Sequence, residues 1–178
     1  MNHVELFEYQ EKAFKTAQYT MIGENPYYPV LGLCGEVGEL IEEIGMPNLS
    51  GDPQKILKEA GDICWYAAAV ARETGASLVK VFEGFDWHER GATGCQFDLI
   101  LGAGKVAERV KKAMRDRGGA FDTETRAEIA YGLGMVLAGV SKVCKAEGFT
   151  LIQAMDANIE KLARRKANNT IKGEGSER

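Results

Sequence analysis

Glu36 and Glu39 are three residues apart in this 178-residue chain, and Glu59 and Asp62 repeat that spacing. Three-residue spacing puts both members of a pair on one face of a helix. Glu42 and Glu43 extend the first face by a turn. Each pair is set in apolar sequence: Leu33–Cys34 and Leu40–Ile41 flank the first, Ile56–Leu57 and Ile63–Tyr66 the second. Carboxylates crowded beside apolar surface repel one another and lose hydration, so they call for a neutralising cation. A hard divalent ion such as Mg²⁺ takes oxygen ligands of this kind. The competing reading is a solvated acidic face bridged to Lys55 and Lys58. Gly35 and Gly38 thin the helix surface around Glu36 at a cost in helix propensity, which would admit a neighbouring helix or a ligand.

A basic face lies near the other end of the chain. Asn158, Lys161 and Arg165 are three and four apart, and Lys166 and Lys172 follow. Lys161 and Arg165 suit phosphate oxygens, and Asn158 can hydrogen-bond to a phosphate, sugar or base. A helix end made basic to match its dipole would give the same pattern. Trp65, Tyr66 and Trp87 are candidates for stacking on a base, with core packing as the alternative for each.

Composition limits the partners. The net charge is -4 and 45% of residues are hydrophobic, enough apolar content for a folded core and the wrong sign for a broad nucleic-acid surface. No stable nucleic-acid partner is expected. No apolar run reaches membrane-spanning length, and Glu5, Glu8, Glu11 and Lys12 interrupt the first apolar pattern as no signal peptide would allow. A cytoplasmic protein without membrane contact is the expectation. Cys34, Cys64, Cys95 and Cys144 form no close pair and read as small buried residues. With only His3 and His88, a histidine-rich metal site is excluded and oxygen ligands remain.

The elements that must position these groups all read as helices. Apolar periodicity predicts helices over Val4–Tyr19, Val30–Ile44, Gln54–Glu73, Leu78–Phe82, Phe97–Arg115, Thr123–Ala146 and Thr150–Lys166. Asp52–Pro53 and Thr150 are start signals, Ser77 is a candidate cap, and Gly75 and Gly148 are stops. Gly84–Gly94 is a poorly patterned linker and the tail after Asn168 is polar. The fold class is all-α, an antiparallel helical bundle.

The two halves match internally. Val30, Leu33, Gly38 and Glu42 correspond to Gln96, Leu99, Gly104 and Glu108 at an offset of 66, and Gly61, Gly75, Leu78 and Glu83 to Gly134, Gly148, Leu151 and Asp156 at an offset of 73. This reads as a tandem duplication, residues 1–90 and 91–178, folded as one compact unit with an intrachain two-fold. At the corresponding positions Gly102 replaces Glu36, Lys105 replaces Glu39, Gly132 replaces Glu59 and Met135 replaces Asp62. One metal cluster per chain follows. The first half retains the acids and the second the basic helix, so one composite site would need both.

The stretches Gly32-Leu33-Cys34-Gly35-Glu36-Val37-Gly38-Glu39-Leu40-Ile41-Glu42-Glu43 and Lys58-Glu59-Ala60-Gly61-Asp62-Ile63-Cys64-Trp65-Tyr66 resemble the paired ExxE and ExxD motifs of the MazG-like nucleotide pyrophosphohydrolases, a branch of the all-α NTP pyrophosphatases. Residues Ala157–Arg165 through Gly173 resemble that family's C-terminal signature. The resemblance implies two diverged MazG-like repeats, with Glu36, Glu39, Glu59 and Asp62 as ligands of Mg²⁺, or of Mn²⁺ in its place. It implies hydrolysis of a (deoxy)nucleoside triphosphate to the monophosphate and pyrophosphate, a place in nucleotide metabolism, and a homodimer of pseudo-dimers. Asn158, Lys161 and Arg165 would contact the substrate, with Tyr66 and Trp65 near its base. Glu39, then Glu36, is the first choice for activating the attacking water. A nucleotide sensor or helical scaffold with a relic metal site is the alternative.

Overall fold

The computed structural model describes residues 3–45, 52–84, 94–168 and 170, and every regular element among them is an α-helix. In chain order these are α1 (His3–Phe14), α2 (Tyr27–Ile44), α3 (Pro53–Thr74), α4 (Leu78–Gly84), α5 (Cys95–Asp116), α6 (Thr123–Ala146) and α7 (Leu151–Ala167). Trp87, Lys172, most of the 84–94 linker and the end of the C-terminal signature lie outside the described residues.

Local chemistry sets most helix ends. The Asp52 carboxylate accepts from the Gln54 N–H at 2.9 Å, and Pro53 needs no donor at the first helical position. Asp122 accepts from the Thr125 N–H at 2.8 Å. Thr150 and Gln153 form a reciprocal capping box at the start of α7. Gly75, at φ +72°, ends α3 in the left-handed region where a side chain would be strained. Ser77 is not the group that meets the first N–H of α4: the Gln10 side chain accepts from the Leu78 N–H at 3.1 Å.

The expected helices are present with shifted ends. α1 stops at Phe14, not Tyr19, because Thr16 and Ala17 bond back three residues and tighten the last turn. α2 begins at Tyr27, three residues early, since Pro29 falls in a first turn whose N–H groups have no intrahelical acceptor. One continuous apolar core joins both halves, with Leu33, Ile63 and Val70 in the same cluster as Leu99, Leu133 and Val140. α3 packs on α1, α2, α6 and α7, and α5 on α2 and α6.

Two buried acids were invisible in the sequence. Glu73, 8% exposed, accepts from the Tyr19 hydroxyl at 2.6 Å, the Gly23 N–H at 2.8 Å and the Asn25 N–H at 2.9 Å. It thereby fastens the segment between α1 and α2 to the end of α3. Asp98, fully buried, pairs with the Lys142 ammonium at 2.7 Å between α5 and α6.

Two expectations need correction. Cys64 and Cys144 are buried, but Cys34 is exposed and Cys95 half-exposed; the face of α2 that carries Cys34 has no helix over it. α6 is long and apolar enough to cross a membrane by length and composition, contrary to the reading of the sequence. Two-thirds of its apolar window, 67%, is buried inside the bundle, which is the setting of a core helix.

Candidate metal centre

α2 and α3 pack face to face and bring three of the four expected acids together. One carboxylate oxygen each of Glu36, Glu59 and Asp62 lies within 4.8 Å of the others. Glu39 is exposed on α2 and stands outside this group, yet near enough for its charge to be felt at Glu36. The spacing put Glu36 and Glu39 on one face; the rotation of α2 turns Glu36 toward α3 and leaves Glu39 at the rim.

Glycine sets the approach of the third helix. A Cβ at Gly61 would lie 2.6 Å from the Ala154 carbonyl oxygen and 3.0 Å from Asn158 Cβ, so only a bare backbone lets α3 and α7 come this close. That contact carries Asn158 and Lys161 to the acids. The Asn158 Nδ2 donates to Asp62 Oδ1 at 2.6 Å, and the Lys161 ammonium donates to both Asp62 oxygens at 2.5 Å. Arg165 is half-buried one turn further along α7. By contrast, Gly35 and Gly38 have nothing over them. No described helix meets them, and their surface beside Glu39 is open.

The three carboxylates are balanced in three different ways. Lys161 offsets Asp62. Lys58 lies 3.1 Å from Glu59, so part of the surface-bridging alternative is present too, as is a longer Lys55–Glu43 pair at 3.8 Å. Among the described residues, no cationic side chain pairs with Glu36. Burial, then the charges of Asp62, Glu39 and Glu59, push its carboxyl up from 4.5 to about 8, and a hydrogen bond to Glu59 holds its proton.

These residues fit a hard divalent cation. The donors are oxygens from two rigid helices. The Asn158 amide, 2% exposed, also leaves its Oδ1 buried with no donor, an oxygen such a cation would satisfy. The Tyr9 hydroxyl is likewise buried without a partner. Burial raises its pKa most, followed by Cys64 and Asp62. Sequence analysis did not single out Tyr9.

The aromatic candidates part company. Trp65 is a core residue at 9% exposure; its indole N–H donates to the Ala13 carbonyl at 3.0 Å and lies 2.8 Å from the Thr16 hydroxyl. Its role is therefore the core-packing one. Tyr66 is half-buried, with its ring over Gly32, where a Cβ would overlap it at 2.1 Å. It meets Tyr28 at 6.2 Å between centroids, and Tyr28 stacks on Tyr19 at 4.6 Å. Tyr66 is thus the aromatic candidate with an open side near Glu36.

The raised Glu36 carboxyl predicts a pH dependence. Folded protein holds this proton up to about 8, whereas the unfolded chain loses it near 4.5. The stability it contributes is full below the lower value and is lost as pH rises toward the upper one. Scanning calorimetry without divalent cations should show a thermal midpoint that falls from about pH 5 to about pH 8, with a shallower fall in Glu36→Gln. Equal slopes in the two proteins would remove Glu36 as the source.

No family model matches the chain, and no solved structure matches it. It is 32% identical over 80 residues to the "Gene 37 protein" of Mycobacterium phage L5, an alignment spanning 45% of this chain and 70% of the phage protein. The chain therefore belongs to the family of that phage protein.

Proposed function

We propose that this chain hydrolyses a (deoxy)nucleoside triphosphate at the α-phosphate, giving the monophosphate and pyrophosphate. The observation that carries the reading is the convergence of Glu36, Glu59 and Asp62, from α2 and α3, on Asn158 and Lys161 from α7. Cation-binding and phosphate-binding groups then come from opposite halves of the chain, as the MazG-like resemblance implies. Glu36, Glu59 and Asp62, with Glu39 at the rim, would hold Mg²⁺ or Mn²⁺. Once bound, the ion supplies Lewis acidity toward the phosphate oxygens and toward a coordinated water.

The chain's own groups account for the rest. Glu39, exposed beside the cluster, would orient the attacking water and take its proton. Lys161 and Arg165 offset charge on the departing pyrophosphate. Tyr66 offers a ring to the base. No covalent intermediate is required.

Helix order supports the accompanying reading of two MazG-like repeats in an intrachain pseudo-dimer. α2–α3–α4 and α5–α6–α7 are matching triplets, α3 packs on α7 as α6 packs on α4, and α2 packs on α5. A homodimer through the exposed Leu31, Phe97, Ile100 and Leu101 on α2 and α5 belongs to the same proposal.

One observation favours a nucleotide sensor instead: both oxygens of Asp62 are already engaged. Product analysis separates the readings. The protein is incubated with Mg²⁺ and each common NTP and dNTP, and products are resolved by ion-exchange chromatography. Monophosphate and pyrophosphate are expected, with a rate about a hundredfold lower in Glu39→Gln. No turnover by well-folded protein would transfer the site to the sensor reading, and near-wild-type turnover in Glu39→Gln would sink its role as base.

A further inference from the structure

Lys161 contributes an ammonium to Asp62, an acid of α3 that reaches across to α7. It touches both oxygens of Asp62, and the pair is largely shielded, with side-chain exposures of 14% and 19%. Asn158 occupies one of the same oxygens, and its own Oδ1 is left buried and unpartnered. A divalent cation drawing on Asp62 would therefore meet a positive charge already in its place. The ammonium sits on a flexible four-carbon stem, so it can leave without moving α7. An anion beside the cluster would give it somewhere to go.

We infer that Lys161 is an exchangeable counter-ion, which holds Asp62 when the site is empty of cation and moves to a phosphate oxygen when cation and polyphosphate arrive together. The inference rests on the proposed nucleotide-binding function and adds an order of binding to it. The cation alone binds weakly because it must compete with a tethered charge. The polyphosphate relieves that competition, so each ligand strengthens the other by the same factor.

Mn²⁺ binding read by electron paramagnetic resonance tests this directly. Wild type and Lys161→Met are titrated alone and with a mixture of the α,β-imido analogues of the four deoxynucleoside triphosphates. Lys161→Met should bind Mn²⁺ alone at least about tenfold more tightly, because a unit charge a few ångströms away is gone. The analogue should tighten Mn²⁺ binding strongly in wild type and much less in the variant. Equal Mn²⁺ affinity of the two proteins without analogue, in a wild type that binds Mn²⁺, would overturn the exchange and leave the proposed function standing. Absence of Mn²⁺ binding in wild type under both conditions would overturn the proposed function and the exchange with it. Should Lys161→Met lose its helical circular dichroism, the side-chain ¹⁵N signal of Lys161 in wild type decides. Exchange requires that it shift with Mg²⁺ and analogue together, and a signal unmoved by the pair overturns it.

Discussion

Glu59→Gln is expected to lower pyrophosphate release by about 10²–10³-fold, the scale of losing one electrostatic contact at a reaction centre, while the fold holds or gains stability. Both halves follow from where Glu59 sits. It is 7% exposed, between the Lys58 ammonium and the Glu36 carboxyl, and it supplies one of the three clustered oxygens. Glutamine keeps the volume and a partner for Glu36, but removes a negative charge from a group that repels itself. Without a cation that removal is favourable, and Lys58 is exposed enough to be solvated. Rates from ion-exchange product analysis and midpoints from calorimetry should therefore move in opposite directions or not together. Full activity would mean the cluster is not the reaction centre. Activity and fold lost together would make Glu59 a structural residue.

Gly102→Glu, which restores to the second half the acid that Glu36 provides in the first, should destabilise the fold rather than build a second site. A Cβ at Gly102 would lie 2.7 Å from the Gly132 carbonyl oxygen and 2.8 Å from the Val136 nitrogen, both backbone atoms. Gly132, the counterpart of Glu59, faces back with the Gly102 carbonyl 3.1 Å from its own Cβ position. α5 and α6 have thus closed through the space that carboxylates keep open between α2 and α3. Overpacking costs about 1–3 kcal/mol and an unpaired buried charge several more. At roughly 2–4 °C per kcal/mol for a chain of this size, the thermal midpoint should fall by about 10 °C or more. A stable Gly102→Glu protein that binds added Mn²⁺ would show that the gap reopens.

Much of this was legible from residue types. Start signals at Asp52–Pro53 and Thr150, glycines at 75 and 148, and the apolar period located the helices. α6 matched its expected span, Thr123–Ala146, because both ends carry local signals. The acid pairs and the Asn158–Lys161 face were also legible as separate features. Their contact was not: Asp62 and Lys161 are 99 positions apart, and no spacing rule reaches across two helices. Nor could periodicity rank Glu36 against Glu39, since the helix rotation that half-buries one and exposes the other is set by packing. Gly61 was noticed for its internal match, but its function, admitting α7, appears only where the backbones meet. Lys105 illustrates the same limit. The ammonium of this counterpart of Glu39 lies 5.8 Å from the centre of the Tyr131 ring on an exposed surface, and the Met135 counterpart of Asp62 is fully buried.

Glu73 has a consequence for how the molecule opens. Its carboxylate is buried and its charge is met by donors from Tyr19, Gly23 and Asn25. Peeling that segment away would leave an anion facing apolar neighbours unless the end of α3 loosened too. The segment between α1 and α2 therefore cannot open by itself. It and the last turn of α3 form one cooperative unit, so amide protons from Gly23 to Asn25 would be released on the same opening event as those around Glu73.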